Sequence, residues 1–120
     1  MKKNIFEGHF NAKSFFNGVD LGKDFNSSEV EFTVGSFRAY GPEGFVQIDY
    51  GRELQEGVNN VSVGVGHPGF MTFLGNPVDG KLEVTVNNLQ DHQTAKFFGY
   101  YHDPIGRNIK LEGDFEGTYK

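Results

Sequence analysis

The stretch Asn108 to Tyr119, NIKLEGDFEGTY, alternates with period two along its whole length. Ile109, Leu111, Phe115 and Tyr119 share one parity with Gly113 and Gly117, while Lys110, Glu112, Asp114, Glu116 and Thr118 fill the other. Successive side chains leave opposite faces of a pleat, so this pattern predicts a half-buried β-strand. The beginning of the chain echoes it. Phe6-Glu7-Gly8-His9-Phe10 resembles Leu111-Glu112-Gly113-Asp114-Phe115, and the echo predicts that the two chain ends lie side by side in one sheet.

A chain of 120 residues has room for one core, so residues 1–120 read as a single domain. There are 13 phenylalanines and no tryptophan, and the 17 glycines are roughly twice the ~7% usual in proteins. Large rings beside many glycines point to closely packed or curved strands, in which a missing side chain makes space for a ring.

The remaining segments read as further strands and turns. Asn4–Ala12 predicts a first strand with Phe6, Gly8, Phe10 and Ala12 on one face. Residues 13–25 read as an ordered connection with a short strand, and Asn26-Ser27-Ser28 as a turn. Glu29–Val34 is a strand, and the apolar parity flips at Gly35, which predicts a bulge or sharp bend. Gly41-Pro42-Glu43-Gly44 then joins it to a partner strand, Phe45–Tyr50. Residues 51–60 are polar, with one helical turn expected around Glu53-Leu54, and Val61–Val65 alternates. Phe70–Leu74 is a short apolar run. Asn76–Gly80 reads as a turn, because Asp-Gly ahead of an alternating run is a strong hairpin signal. Lys81–Asn87 is the strand that follows it. After a polar loop over 88–93, Thr94–His102 is a strand with rings on both faces. About eight strands at this spacing, with little or no helix, predict a single antiparallel β-barrel or β-sandwich, the closed barrel being preferred.

Composition excludes several functions. With no cysteine there are no disulfides and no Cys-based metal or redox sites. A formal charge of −5 speaks against nucleic acid as a partner. No run approaches the ~18 apolar residues of a membrane helix. The basic start Met1-Lys2-Lys3-Asn4 has no apolar segment behind it, which implies a cytoplasmic protein if Met1 is native and an exported one if a leader has been removed.

Motifs for chemistry are scarce. His9, His67, His92 and His102 fall in no recognised metal-ligand spacing, and no catalytic residue, metal ligand or cofactor is assigned. His9 would lie near the Glu112, Asp114 and Glu116 stripe, where a carboxylate–histidine cluster could bind a metal; a solvated charged face is the plainer account. Gly64–Gly69 matches GxGxxG but carries a proline and lacks a following helix, which rules out a dinucleotide loop. The distinctive feature is the doubly aromatic strand, with Phe97 and Tyr101 on one face and Phe98 and Tyr100 on the other. One face must be core. The other is covered by residues 13–25, lines a ligand cavity, or meets a partner.

The expected function is therefore a non-enzymatic binding module that uses the aromatic strand and adjacent loops. Its candidate residues are Phe98, Tyr100, Tyr40, Tyr50, His67 and His102. The expected partner is a small apolar or sugar-like ligand, or a protein. One alternative is a small hydrolase or isomerase pairing His67 or His102 with Asp49 or Asp103 in a barrel mouth. Another is an assembly subunit that forms homo-oligomers through strand edges.

Overall fold

The computed structural model describes residues 5–120, so the basic start and the first residue of the predicted opening strand, Asn4, lie outside the described residues. Eleven strands form one antiparallel sheet curled into a half-barrel, with no helix among the described residues. They are β1 (Phe6–Phe16), β2 (Val19–Asp20), β3 (Phe25–Ser27), β4 (Glu29–Thr33), β5 (Ser36–Gly41), β6 (Gly44–Asp49), β7 (Gly57–Val63), β8 (Phe70–Phe73), β9 (Asn76–Asn87), β10 (His92–His102) and β11 (Asn108–Tyr119). Their order across the sheet is β2-β1-β11-β10-β9-β8-β6-β5-β4, with β7 on β9 and the short β3 on β1. None of the described residues forms a helix long and apolar enough to cross a membrane.

The chain ends pair as their echo predicts. β1 and β11 run antiparallel from Phe6 opposite Tyr119 to Phe15 opposite Lys110, and Phe10 faces Phe115. Inward positions of both strands build the aromatic core. The Phe10 and Phe115 rings are stacked with centroids 5.8 Å apart, and Phe37 from β5 comes within 4.2 Å of Phe115. The glycines of β11 make this possible. A methyl group on Gly117 would stand 2.7 Å from the Phe32 ring, and one on Gly113 would collide with the Asn11 carbonyl of β1 and stand 2.9 Å from the Phe97 ring. Those distances are well inside van der Waals contact, so the alternation of glycine and phenylalanine is a packing device.

Several expectations are corrected. Eleven strands replace about eight, mainly because residues 13–28 are more extended than expected. β1 continues to Phe16, Asn17-Gly18 turns the chain with φ of 51° and 78°, and Val19 pairs back on Phe16. Both central residues are left-handed, which is the two-residue hairpin geometry that Asn-Gly favours. Asn26 and Ser27 belong to β3, and Gly35 sits in the turn between β4 and β5. No helical turn forms at Glu53-Leu54. Leu54 is instead buried, and Asn59 ties this segment down by donating to the carbonyls of Gln55 and Gly57. The strand expected over Val61–Val65 begins at Gly57 and ends at Val63.

The largest correction concerns Asn76–Gly80, which lies inside β9; the turn is one step earlier, at Leu74-Gly75. Asp79 and Gly80 have other work. Gly80 faces Gly99 across the ladder, where the β10 backbone leaves no room for a side chain, and Asp79 accepts a hydrogen bond from the Val65 amide at 2.9 Å. Pro77 is tolerated because only β8 flanks that part of the strand. Residues 92 and 93, expected in a loop, open β10. Gln93 is fully buried and joins the core by accepting from the Tyr50 hydroxyl at 2.9 Å and donating to the Thr33 carbonyl at 2.7 Å.

Candidate functional site

Burial along β10 alternates without interruption from Gln93 to Tyr100. Gln93, Ala95, Phe97 and Gly99 point inward, and Lys96, Phe98 and Tyr100 point out. Phe98 is 48% exposed and Tyr100 43%. Residues 13–25 do not cover them, because that segment extends β1 and folds its hairpin along the margin of the sheet. Two large rings therefore stand beside each other on the convex face, ~7 Å apart along the strand.

The ladder registers show what surrounds the rings. Phe98 lies between Glu112 of β11 and Lys81 of β9, and Tyr100 between Lys110 and Asp79. One strand further on, β1 sets Lys13 opposite Glu112 and Phe15 opposite Lys110. On the other side β7 sets Ser62 opposite Lys81. A shallow groove of ≈540 Å³ runs past Phe98 and includes Asn60, Ser62 and Glu112. A second, ≈430 Å³, runs past Tyr100 and includes Phe15, Asn17, Asn108 and again Glu112. The two grooves meet at Glu112, whose carboxylate is 3.8 Å from the Lys110 ammonium. Rings, amides and charges of both signs thus alternate over one continuous surface.

The six candidate residues divide into three together and three apart. His102 ends β10 opposite Asn108, exposed and on the outward parity of Phe98 and Tyr100. Tyr40 is on β5, where its hydroxyl donates to Glu31 at 2.6 Å; that hydrogen bond is the main reason its phenol stays protonated above the ordinary range. Tyr50 is 1% exposed, and burial raises its phenol far above the usual value, so it holds the core together. His67 sits in an exposed turn after β7.

The two acids of the enzymatic alternative are engaged locally, each within its own turn. Asp49 accepts from the Gly51 amide at 2.8 Å. Asp103 accepts from the Arg107 side chain at 2.6 Å and from the Arg107 and Ile105 amides. Partial burial works to raise the Asp103 carboxyl, but the hydrogen bonds and positive charge of Arg107 prevail and hold it below the ordinary value. On the outer stripe His92 lies 2.8 Å from Glu116 and His9 3.5 Å from Asp114. Among the described residues no three such groups converge as metal ligands.

Sequence reasoning about β10 alone misses Phe15, Asn17, Asn60, Asn108 and Glu112. Each comes from another part of the chain, and only the strand register brings them to the rings. The signal that could have found the nearest of them is the Phe10–Phe115 match: paired antiparallel and continued along both strands, it sets Phe15 opposite Lys110. Comparisons of the chain with protein-family models, with curated proteins and with solved structures gave no match.

Proposed function

We propose that this protein is a non-enzymatic binding module that takes a sugar-like, polyhydroxylated ligand along its convex face. The observation that supports this reading is the pair of half-exposed rings, Phe98 and Tyr100, set in a continuous groove of amide, hydroxyl and carboxylate groups. An aromatic ring offers its face to the C–H side of a sugar ring, and planar polar side chains beside it meet the hydroxyls. Lysines and acids are balanced around the rings: Lys13, Lys81, Lys96 and Lys110 stand among Asp79, Glu83, Glu112 and Asp114. Such a surface has no net attraction for a charged polymer. In this reading the half-barrel is a nearly closed barrel, its margins drawn together where β3 pairs with β1 and the chain continues into β4 on β5.

The test is affinity electrophoresis of the full chain through gels holding neutral polysaccharides, with Phe98→Ala and Tyr100→Ala beside it. Retention on at least one polysaccharide, lowered about tenfold or more by either variant at unchanged thermal stability, is the expected result. Retention that ignores both substitutions would overturn the reading. So would a concentration-dependent dimer that Phe98→Ala dissolves, since the rings would then serve self-association.

A further inference from the structure

Tyr101 follows Tyr100 in sequence and faces the other way, into the open end of the half-barrel. There it lines a pocket of ≈620 Å³, a size suited to a small organic molecule. Phe25 of β3 and Phe73 of β8 continue its wall, with ring centroids 5.7 Å apart from Phe25 to Phe73 and 5.7 Å from Phe73 to Tyr101. Leu21, Leu74 and Ile109 add to the apolar lining, with Pro104 and Ile105 at its edge. Ser14, an inward residue of β1, is only 3% exposed and borders the same space. Its carbonyl accepts from the Leu21 amide, but its hydroxyl is bonded to none of the described residues. No sealed side-chain nitrogen or oxygen among them lacks a partner, so the Ser14 hydroxyl keeps its access through the pocket.

Lys23, Asp24 and Glu43 stand exposed at the rim, while Arg107 and Asp103 are half-buried. Arg107 is engaged by Asp103 and lies over the Phe16 ring at 5.2 Å, so its charge is already met. Lys23 stands with Asp24 and Glu43, a mixed set favouring neither sign strongly. Within the walls the polar groups are the Ser14 and Tyr101 hydroxyls and the Asn76 amide, whose nitrogen already donates to the Phe73 carbonyl at 3.2 Å. We infer that the open end is a second, separate site, which takes an uncharged aromatic or alicyclic molecule bearing one hydrogen-bonding oxygen. The ring of the ligand packs against Phe25, Phe73 and Tyr101, and its oxygen exchanges a hydrogen bond with Ser14.

The experiment is an NMR titration of the isotope-labelled full chain with benzyl alcohol, toluene, benzoate and benzylammonium. Benzyl alcohol is expected to shift the signals of Leu21, Tyr101 and Ile109 and to bind about fivefold more tightly than toluene, the usual net effect of one hydrogen bond. Ser14→Ala should bring that ratio to about one and leave toluene unaffected. Leu21→Trp, which fills the pocket, should remove binding of both probes and keeps the test decisive if the serine variant does not fold. The inference is overturned if shifts are absent from the pocket up to the solubility limit of the probes. It is equally overturned if the alcohol-to-toluene ratio survives Ser14→Ala, or if either charged analogue binds more tightly than the alcohol.

Discussion

Phe97 and Phe98 are neighbours with opposite fates. Phe97 is buried against Phe10 and Phe115, with ring centroids at 5.3 and 6.1 Å, while Phe98 stands half in water between Glu112 and Lys81. The same contrast repeats at Tyr101 and Tyr100, one facing the open end and the other the convex face. The chemistry of the side chains is nearly identical in each pair, so what separates them is the pleat and whatever lies on each side of it. The inward side has a second wall of the half-barrel to pack against. Among the described residues no layer covers the outward side, and its rings stay half exposed.

The largest expected effect tests that contrast directly. Phe97→Ala should cost about 3–5 kcal/mol of stability, as for other large core rings, whereas Phe98→Ala should stay within about 1 kcal/mol. Denaturant unfolding of the two variants measures both, and equal losses would mean that the convex face is packed after all. The tyrosines offer a sharper version. Tyr50→Phe leaves the buried Gln93 carbonyl without its donor and should cost about 1–3 kcal/mol. Tyr100→Phe removes a hydroxyl from an exposed ring and should be close to neutral, as read from the same unfolding curves.

The smallest effect compares ion pairs on the two sides. Lys110→Ala breaks the exposed pair with Glu112 and should change stability by no more than about 0.5 kcal/mol. Asp103 at the open end is different, because its folded carboxyl titrates below the ordinary value. A depressed carboxyl contributes fully above the unfolded value, about pH 4. Its contribution falls away as the pH drops further, through the depressed folded value. The Ile105 and Arg107 amide signals, which report their hydrogen bonds to Asp103, should therefore hold steady on acidification to about pH 4 and move only below it. Movement beginning well above pH 4 would contradict the lowered value.

Legibility from sequence followed how local the deciding interaction was. The pairing of the chain ends is readable because Phe6–Phe10 and Leu111–Phe115 carry one pattern, and Phe10 and Phe115 both meet Phe37 and Phe97. The two turn dipeptides show the limit. Asp79-Gly80 looks like a hairpin and is mid-strand, since Gly80 is required by the close approach of β10, a neighbour in space; Asn17-Gly18 is the true hairpin, hidden in a stretch that reads as irregular. The polarity of Gln93 reads as loop, although two hydrogen bonds satisfy it in the core. Of the candidate site, Phe98, Tyr100 and His102 were visible as one parity of one strand. Tyr40, Tyr50 and His67 share only residue type with them, and the fold sends each elsewhere.

Alternation, glycine spacing and the aromatic surplus by themselves determined an all-β chain with a phenylalanine core and its two ends side by side. Those properties act through the pleat of a single strand, or through two strands with a shared pattern. Which face of β10 would be core, and which would keep its rings in water beside Asn60, Asn108 and Glu112, was decided only by tertiary structure. The physical reason is that β10 carries large rings on both faces. A strand of that kind acquires an inside only when the sheet curls around one of them.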